Sequence, residues 1–157
     1  MREPKMSLAD AAVRGAAAGV AGGLVLRAVW GFAEGLLPPE RRTASPTAEV
    51  VEKAAEKHGV QLSEAQVRAG AVVGYTGSMA MWGAVYGMVQ ARVHPPMLVH
   101  GLLLGGLVYA ANFAPGAALP KQGIVAPPEG LDREVFTRLG AHALFGLTTA
   151  AVFEALG

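Results

Sequence analysis

From residue 8 onward the chain alternates long apolar runs with short polar ones. No Asp, Glu, Lys or Arg lies between Arg68 and Arg92, or between Arg92 and Lys121. Another such run separates Arg138 from Glu154, and a glycine-rich apolar segment carrying Arg14 and Arg27 opens the chain. Each run is near the ~20 residues that cross a hydrocarbon core as a helix. The pattern predicts an all-α fold: a four-helix transmembrane bundle forming a single integral membrane domain over 1–157, with spans near 8–37, 69–91, 97–119 and 134–156. Helices that are apolar all round belong in lipid or in a large core, and 157 residues do not make a large core.

The polar stretches predict the connections. "LLPPERRTASP" ends the first span, because its prolines cannot continue a helix and its charges need water. "SPTAEVVEKAAEKHG" reads as a short amphipathic helix in the first long loop, capped by Ser45, with Pro46 in its first turn and Gly59 at its end. "SEAQ" at 63–66 is a capping box that starts the second span. "RVHPP" is a tight turn, and "LPKQGIVAPPEGLDRE" is an irregular link to the last helix. A weak internal echo relates "GGLVLRA" at 22–28 to "GGLVYAA" at 105–111, as a parallel duplication of a helix pair would.

Composition sharpens this picture. Hydrophobic residues make up 52% and charged residues 16%, with a net charge of +1, so no electrostatic grip on nucleic acid is expected. The absence of Cys removes disulfides, thiolate metal sites and cysteine nucleophiles. Most of the 21 glycines sit inside the apolar runs, where small residues let helix backbones approach. Candidate packing positions are Gly15, Gly19 and Gly23 in the first span, Gly83 and Gly87 in the second, and Gly101 and Gly105 in the third.

Arg27 falls on the beat of this glycine series, and Glu34 returns to almost the same face seven residues later. A charge at this depth should face the bundle and find acceptors. Counted inward from the long-loop ends, Tyr75, Thr76, Asn112 and His142 reach a comparable level. Arg27, Glu34, Tyr75, Thr76, Asn112 and His142 therefore form a candidate polar layer. It would serve either as hydrogen-bonded structural register or as a binding or conduction site.

Other chemistry finds no support. His100 and His142 count to different depths, about 14 Å apart, so they cannot flank one haem iron. No Lys lies within a span, which removes a retinal Schiff base. There is no His-Glu-x-x-His motif, Gly-x-Ser-x-Gly elbow or phosphate loop. Trp30, Trp82, Tyr86 and Phe113 read as interfacial anchors and packing residues. No metal, cofactor or catalytic residue is expected.

Three pieces, "WGFAEGLLPPERR", "MWGAVYG" and "LGAHALFG", resemble the YagU-like family of small bacterial inner-membrane proteins. In the last, Ala141 stands between Gly140 and His142 where an adjacent Gly-His is expected. The resemblance implies a four-helix inner-membrane protein and draws attention to Trp30, Glu34 and Pro38, without implying a substrate. Two functional expectations follow. The first is a non-enzymatic protein that passes or senses a proton or small solute at the polar layer. The second is an accessory or scaffold subunit, as a homo-oligomer or in a larger membrane assembly, using the glycine-lined faces. The lipid bilayer is the expected partner in both.

Lys and Arg give the orientation. The two longer loops hold Arg41, Arg42, Lys53, Lys57, Arg68, Lys121, Arg133 and Arg138, and the opposite side holds Arg2, Lys5, Arg14 and Arg92. This places the long loops in the cytoplasm and both termini outside. A cysteine introduced at Gly157 should then react with a membrane-impermeant dye in intact cells, and one at Ala44 only after permeabilisation. Labelling of the second in intact cells would reverse the assignment.

Overall fold

The computed structural model describes residues 6–36, 46–93, 96–114, 116–125, 130 and 133–157. Their regular structure is entirely helical: α1 (Leu8–Gly35), α2 (Pro46–Lys57), α3 (Glu64–Gln90), α4 (Met97–Phe113), a one-turn α5 (Ala118–Lys121) and α6 (Arg133–Ala155). Three segments are long and apolar enough to cross a membrane: Leu8–Phe32, Met97–Lys121 and Val135–Ala155. The span expected near 69–91 is helical within α3, but α3 is not among the three, and Gly74, Tyr75, Thr76, Gly77 and Ser78 dilute its apolar character.

The turn chemistry explains the boundaries. Ser63 accepts from the Gln66 N–H, and the Gln66 side chain accepts from the Ser63 N–H, so the capping box at the start of α3 is complete. Gly59 ends α2 at φ 69°. Around it, Val60 N–H donates to Ala55 O and Gly59 N–H to Glu56 O, the paired bonds of a Schellman turn. Gly123, at φ 70°, closes α5 through the same pair of bonds, Ile124 to Leu119 and Gly123 to Pro120. The expected third span runs unbroken to Leu119, but α4 stops at Phe113. Ala114 precedes Pro115 and is extended, at φ −60° and ψ 147°, because a proline disfavours the α conformation in the residue before it. Ser45, Pro38 and His94 lie outside the described residues.

Glycines set the packing. A Cβ on Gly83 would stand 2.7 Å from Gly19 Cα, and one on Gly87 would stand 3.0 Å from Gly15 Cα. Backbone therefore meets backbone where α1 crosses α3. Gly23 continues this face against the Met79 side chain. The α4–α6 pair repeats the device: a Cβ on Gly105 would lie 2.9 Å from Ala143 Cα, and one on Gly101 3.0 Å from Leu147 Cα. The two antiparallel pairs join where Gly22 of α1 receives Thr149 of α6. Around this frame lie Ala18, Tyr86, Leu104, Val108, Phe145, Ala150 and Phe153, all buried. Outside the long helices, α2 rests on α3 with Val51 over Gly70, and Lys57 Nζ reaches Gln122 O at 2.9 Å. Also in α2, Lys53 sits 2.7 Å from Glu49 and holds that carboxyl below its ordinary pKa.

The bundle is apolar on its outside. Val13, Phe32, Val73, Leu102, Leu103 and Leu107 are each more than half exposed, while Gln90, His100 and Thr149 are buried. An exposed apolar surface of this extent marks contact with lipid or another apolar partner.

Glycines at the crossing should tolerate no side chain, whereas open ones should. Gly83→Val forces two backbones apart and should cost about 1–3 kcal/mol or more, the scale of overpacking. Gly77, which has nothing within 4 Å of a new Cβ, should accept Ala with a gain of up to about 1 kcal/mol from reduced backbone entropy. Unfolding in mixed detergent micelles measures both. Equal stability of the two variants would refute the crossing.

Candidate functional site

Four polar side chains meet near the end of the bundle where α3 turns into α4. Tyr86 and Gln90 are one helical turn apart on α3, His100 is in the first turn of α4, and Glu154 is in the last turn of α6. The short 91–96 connection brings the end of α3 to the start of α4. Tyr86, Gln90 and His100 are 5%, 5% and 8% exposed, so their polar atoms must be satisfied within the protein.

They are satisfied by one another. Gln90 Nε2 donates to the Tyr86 hydroxyl at 3.1 Å. The Tyr86 hydroxyl and Gln90 Nε2 both lie in hydrogen-bonding contact with His100 Nδ1. With Nδ1 as acceptor, the ring proton resides on Nε2, which faces Glu154 Oε1 at 3.6 Å. The Tyr86 and His100 rings stack, with centroids 5.4 Å apart and planes 21° from parallel. The edge of Phe153 closes the other face of Tyr86 at 5.4 Å. Glu154 is the member with access to the outside, its side chain 54% exposed. Its carboxylate sits in the last turn of α6, where the helix dipole disfavours negative charge. The His100 ring faces it, and the Arg14 guanidinium reaches the same end of the bundle, beside Gly157.

The arrangement is a line of polar groups with one titratable ring at its centre. Protonation at Nδ1 would turn an acceptor into a donor. The Tyr86 hydroxyl would then have to accept, and the Gln90 amide would have to present its carbonyl. The imidazolium would face the Glu154 carboxylate. Proton uptake at His100 is thus tied to the side chains that join α3 to α4.

The six residues of the expected polar layer are placed differently. Tyr75 donates from its hydroxyl to Gly23 O at 2.7 Å, bridging α3 and α1. Asn112 turns back to Val108 O at 2.8 Å. His142 Nδ1 bonds Arg138 O at 2.7 Å, and its ring meets the edges of Tyr109 and Phe113. Arg138 also lies over Phe113, 4.8 Å from the ring centroid. Thr76 is exposed. Arg27 is exposed as well and has no hydrogen bond or ion pair to a described side chain. The side chain of Glu34 lies outside what the structure describes.

Helix phase explains why Arg27 does not join His142. Gly22 faces α6 and Gly23 faces α3. Arg27 is turned about 140° from the first and about 40° from the second, so it emerges beside α3. The α4–α6 register also sets Gly105 against His142. The two histidine backbones are then about 7.5 Å apart in depth, closer than the count from span ends gives. The two rings are engaged by different partners, His100 by Tyr86 and Gln90, His142 by Arg138 O.

Sequence reasoning took Tyr86 as a packing residue and passed over Gln90 and Glu154. A signal was present: Gln90 is a polar residue at the end of an otherwise apolar run, one turn from Tyr86 and followed closely by His100. Two hollows lie away from this cluster. A cavity of about 10 Å³ lies between α1 and α3, lined by Val20, Leu24, Tyr75, Thr76 and Met79. A hollow of about 330 Å³ lies between α2 and the start of α3, with Glu52 and Glu56 on its wall. Among the described residues no three His, Asp or Glu side chains converge as a metal site. No protein-family model, curated protein or solved structure matches the chain.

Tyr86→Phe removes one hydroxyl and leaves Gln90 and His100 short of a buried partner. It should cost about 1–3 kcal/mol. Adding Gln90→Leu removes another stranded group and should recover part of that loss. A double-mutant cycle on detergent unfolding reads this directly. Strict additivity of the two substitutions would show that the side chains act independently.

Proposed function

We propose that this chain is a small, non-enzymatic, multi-pass protein of the bacterial inner membrane that senses a proton at His100. In this reading α3 crosses the bilayer together with α1, α4 and α6, completing a four-helix transmembrane bundle. The long loops face the cytoplasm, as the distribution of Lys and Arg favours, and a YagU-like affiliation accords with this arrangement. The observation that carries the reading is the buried Tyr86–Gln90–His100 cluster with Glu154 at its exposed edge. Ionisable residues at membrane depth are costly, and those that persist are functional candidates by default.

The geometry favours sensing over solute passage. The described cavity between α1 and α3 has about the volume of a single water. The titratable ring sits at one end of the bundle rather than in a line across it. The scaffold alternative drew on surplus glycine faces. Gly15, Gly19, Gly23, Gly83, Gly87, Gly101 and Gly105 all meet partners within this chain, so that motive is weaker.

Trp82 lies one turn before Tyr86 on α3 and packs against the core cluster, which makes its fluorescence a reporter. In Trp30→Phe protein reconstituted in lipid, the emission should show a pH transition. Glu154→Gln should displace its midpoint, and His100→Gln should abolish it, while His142→Gln and His58→Gln leave it in place. A transition unchanged by His100→Gln would reject the proposal.

A further inference from the structure

We propose that a phospholipid binds in the groove between α1 and α3, with its phosphate held by Arg27 and an acyl chain lying along Val20, Leu24 and Met79. The inference rests on the membrane reading above and is independent of His100.

The groove follows from the glycine crossing. α1 and α3 touch at Gly15, Gly19, Gly83 and Gly87, and the contact weakens towards the long-loop end. A Cβ on Gly23 would meet the Met79 side chain rather than backbone, Tyr75 spans the gap to Gly23 O at 2.7 Å, and a Cβ on Gly31 would have nothing within 4 Å. Val20, Leu24, Arg27 and Gly31 recur at helical spacing and form one strip of α1 beside this seam. Tyr75, Thr76 and Met79 face Val20 and Leu24 across it, enclosing the small cavity at its head. Arg27 stands about 40° round α1 from Gly23, on the side of the helix that faces α3.

Arg27 lies five residues inside the end of the Leu8–Phe32 segment, about 7.5 Å along the axis. An extended arginine side chain covers that distance to the headgroup region. A guanidinium within a span needs an acceptor, and the described side chains supply none. Thr76, exposed on the facing helix, also has an unengaged hydroxyl among the described residues. A phosphate diester meets the planar guanidinium fork with two oxygens at once. A free phosphate would satisfy Arg27 alone. A phospholipid also covers the apolar strip that continues inward from it, so one ligand accounts for both halves of the groove.

Native mass spectrometry of the full chain in mild detergent, titrated with phosphatidylglycerol, tests this. Wild type should retain one lipid per chain. Arg27→Gln should weaken retention at least tenfold, and Arg27→Lys several-fold, because an ammonium lacks the fork. Gly31→Leu keeps the charge, places its Cβ where nothing described lies within 4 Å and fills the groove, so it should also weaken retention. His100→Gln should not. Equal retention by wild type and Arg27→Gln, or no effect of Gly31→Leu, would overturn the proposal. So would full displacement of the lipid by millimolar inorganic phosphate, the mark of a simple anion site. Loss of lipid in Glu34→Gln equal to that in Arg27→Gln would instead make Arg27 and Glu34 an internal pair, and would also overturn it. Extraction of the chain from membranes by alkaline carbonate without detergent would fail the membrane reading itself, a separate result from any of these.

Discussion

At the crossing of α1 and α3 the two backbones touch, and neither helix has a side chain there to lose. Gly15 and Gly19 lie against Gly83 and Gly87 with no room for a single added carbon. In lipid, tail and side chain are similarly apolar, so burying leucine contributes little to association. Close van der Waals contact between backbones is what remains. The rest of the structure depends on that contact. It fixes the register of the first helix pair, the α4–α6 pair uses the same device, and Gly22 with Thr149 locks the pairs together. Thr149 is fully buried and its hydroxyl has no conventional partner. It points at the Gly22 backbone, where a weak C–H···O contact is the interaction open to it.

The polarity of the bundle is the reverse of a water-soluble one. Large apolar side chains face outward, and the interior holds glycine, alanine, a few aromatics and the cluster centred on His100. Such an interior imposes a condition on its polar groups. A donor does best with an acceptor inside the protein, because lipid offers none; among the described buried side chains the Trp30 indole N–H and the Thr149 hydroxyl are the exceptions. Tyr75 meets this with Gly23 O, Asn112 with Val108 O and His142 with Arg138 O, all backbone carbonyls. Tyr86, Gln90 and His100 differ because they satisfy one another through side chains. A carbonyl only accepts, so bonds to it fix a proton's position. A hydroxyl, an amide and an imidazole can exchange roles, so their bonds can rearrange when a proton arrives.

Much of the helical layout was legible in the sequence because it follows local rules. Charge-free runs marked the helices, the capping box at Ser63 marked the start of α3, and Gly59 marked the end of α2. Each depends on residues within one turn of one another. The Leu119-Pro120 exit matches the end of the apolar Met97–Lys121 segment, but the helix within it breaks sooner, at Phe113, because Pro115 acts through Ala114. The grouping of polar residues was harder to read, for a geometric reason. Depth can be counted from span ends, but which way a side chain faces depends on where its helix is pinned. Arg27 and His142 stand at similar depth. Gly22 and Gly23 pin α1 in a phase that turns Arg27 away from α6, and no count along the chain contains that phase. Gln90 and Glu154 escape a reading from sequence for the complementary reason: they lie near helix ends, where polar residues are usually solvated.

The glycine crossing and the polar cluster belong to the same two turns of α3. Gly83 and Gly87 press on α1, while Tyr86 and Gln90, on the neighbouring strip, reach His100 of α4. Because the backbone of α3 is held rigidly on one side, its side chains on the other are delivered to fixed positions. Tyr86, with only two torsions, then has little freedom to avoid His100. Larger residues at 83 or 87 would lift α3 from α1 and move Tyr86 and Gln90 with it, so the packing that holds the bundle together also aims the cluster. At the other end, side chains replace the backbone contact: Met79 packs on Gly23 and Tyr75 donates to Gly23 O. The helices part, and a groove with a single arginine opens where the glycines no longer touch. One register thus produces both a closed end, where polar groups can be kept from solvent, and an open end that leaves the Arg27 charge exposed.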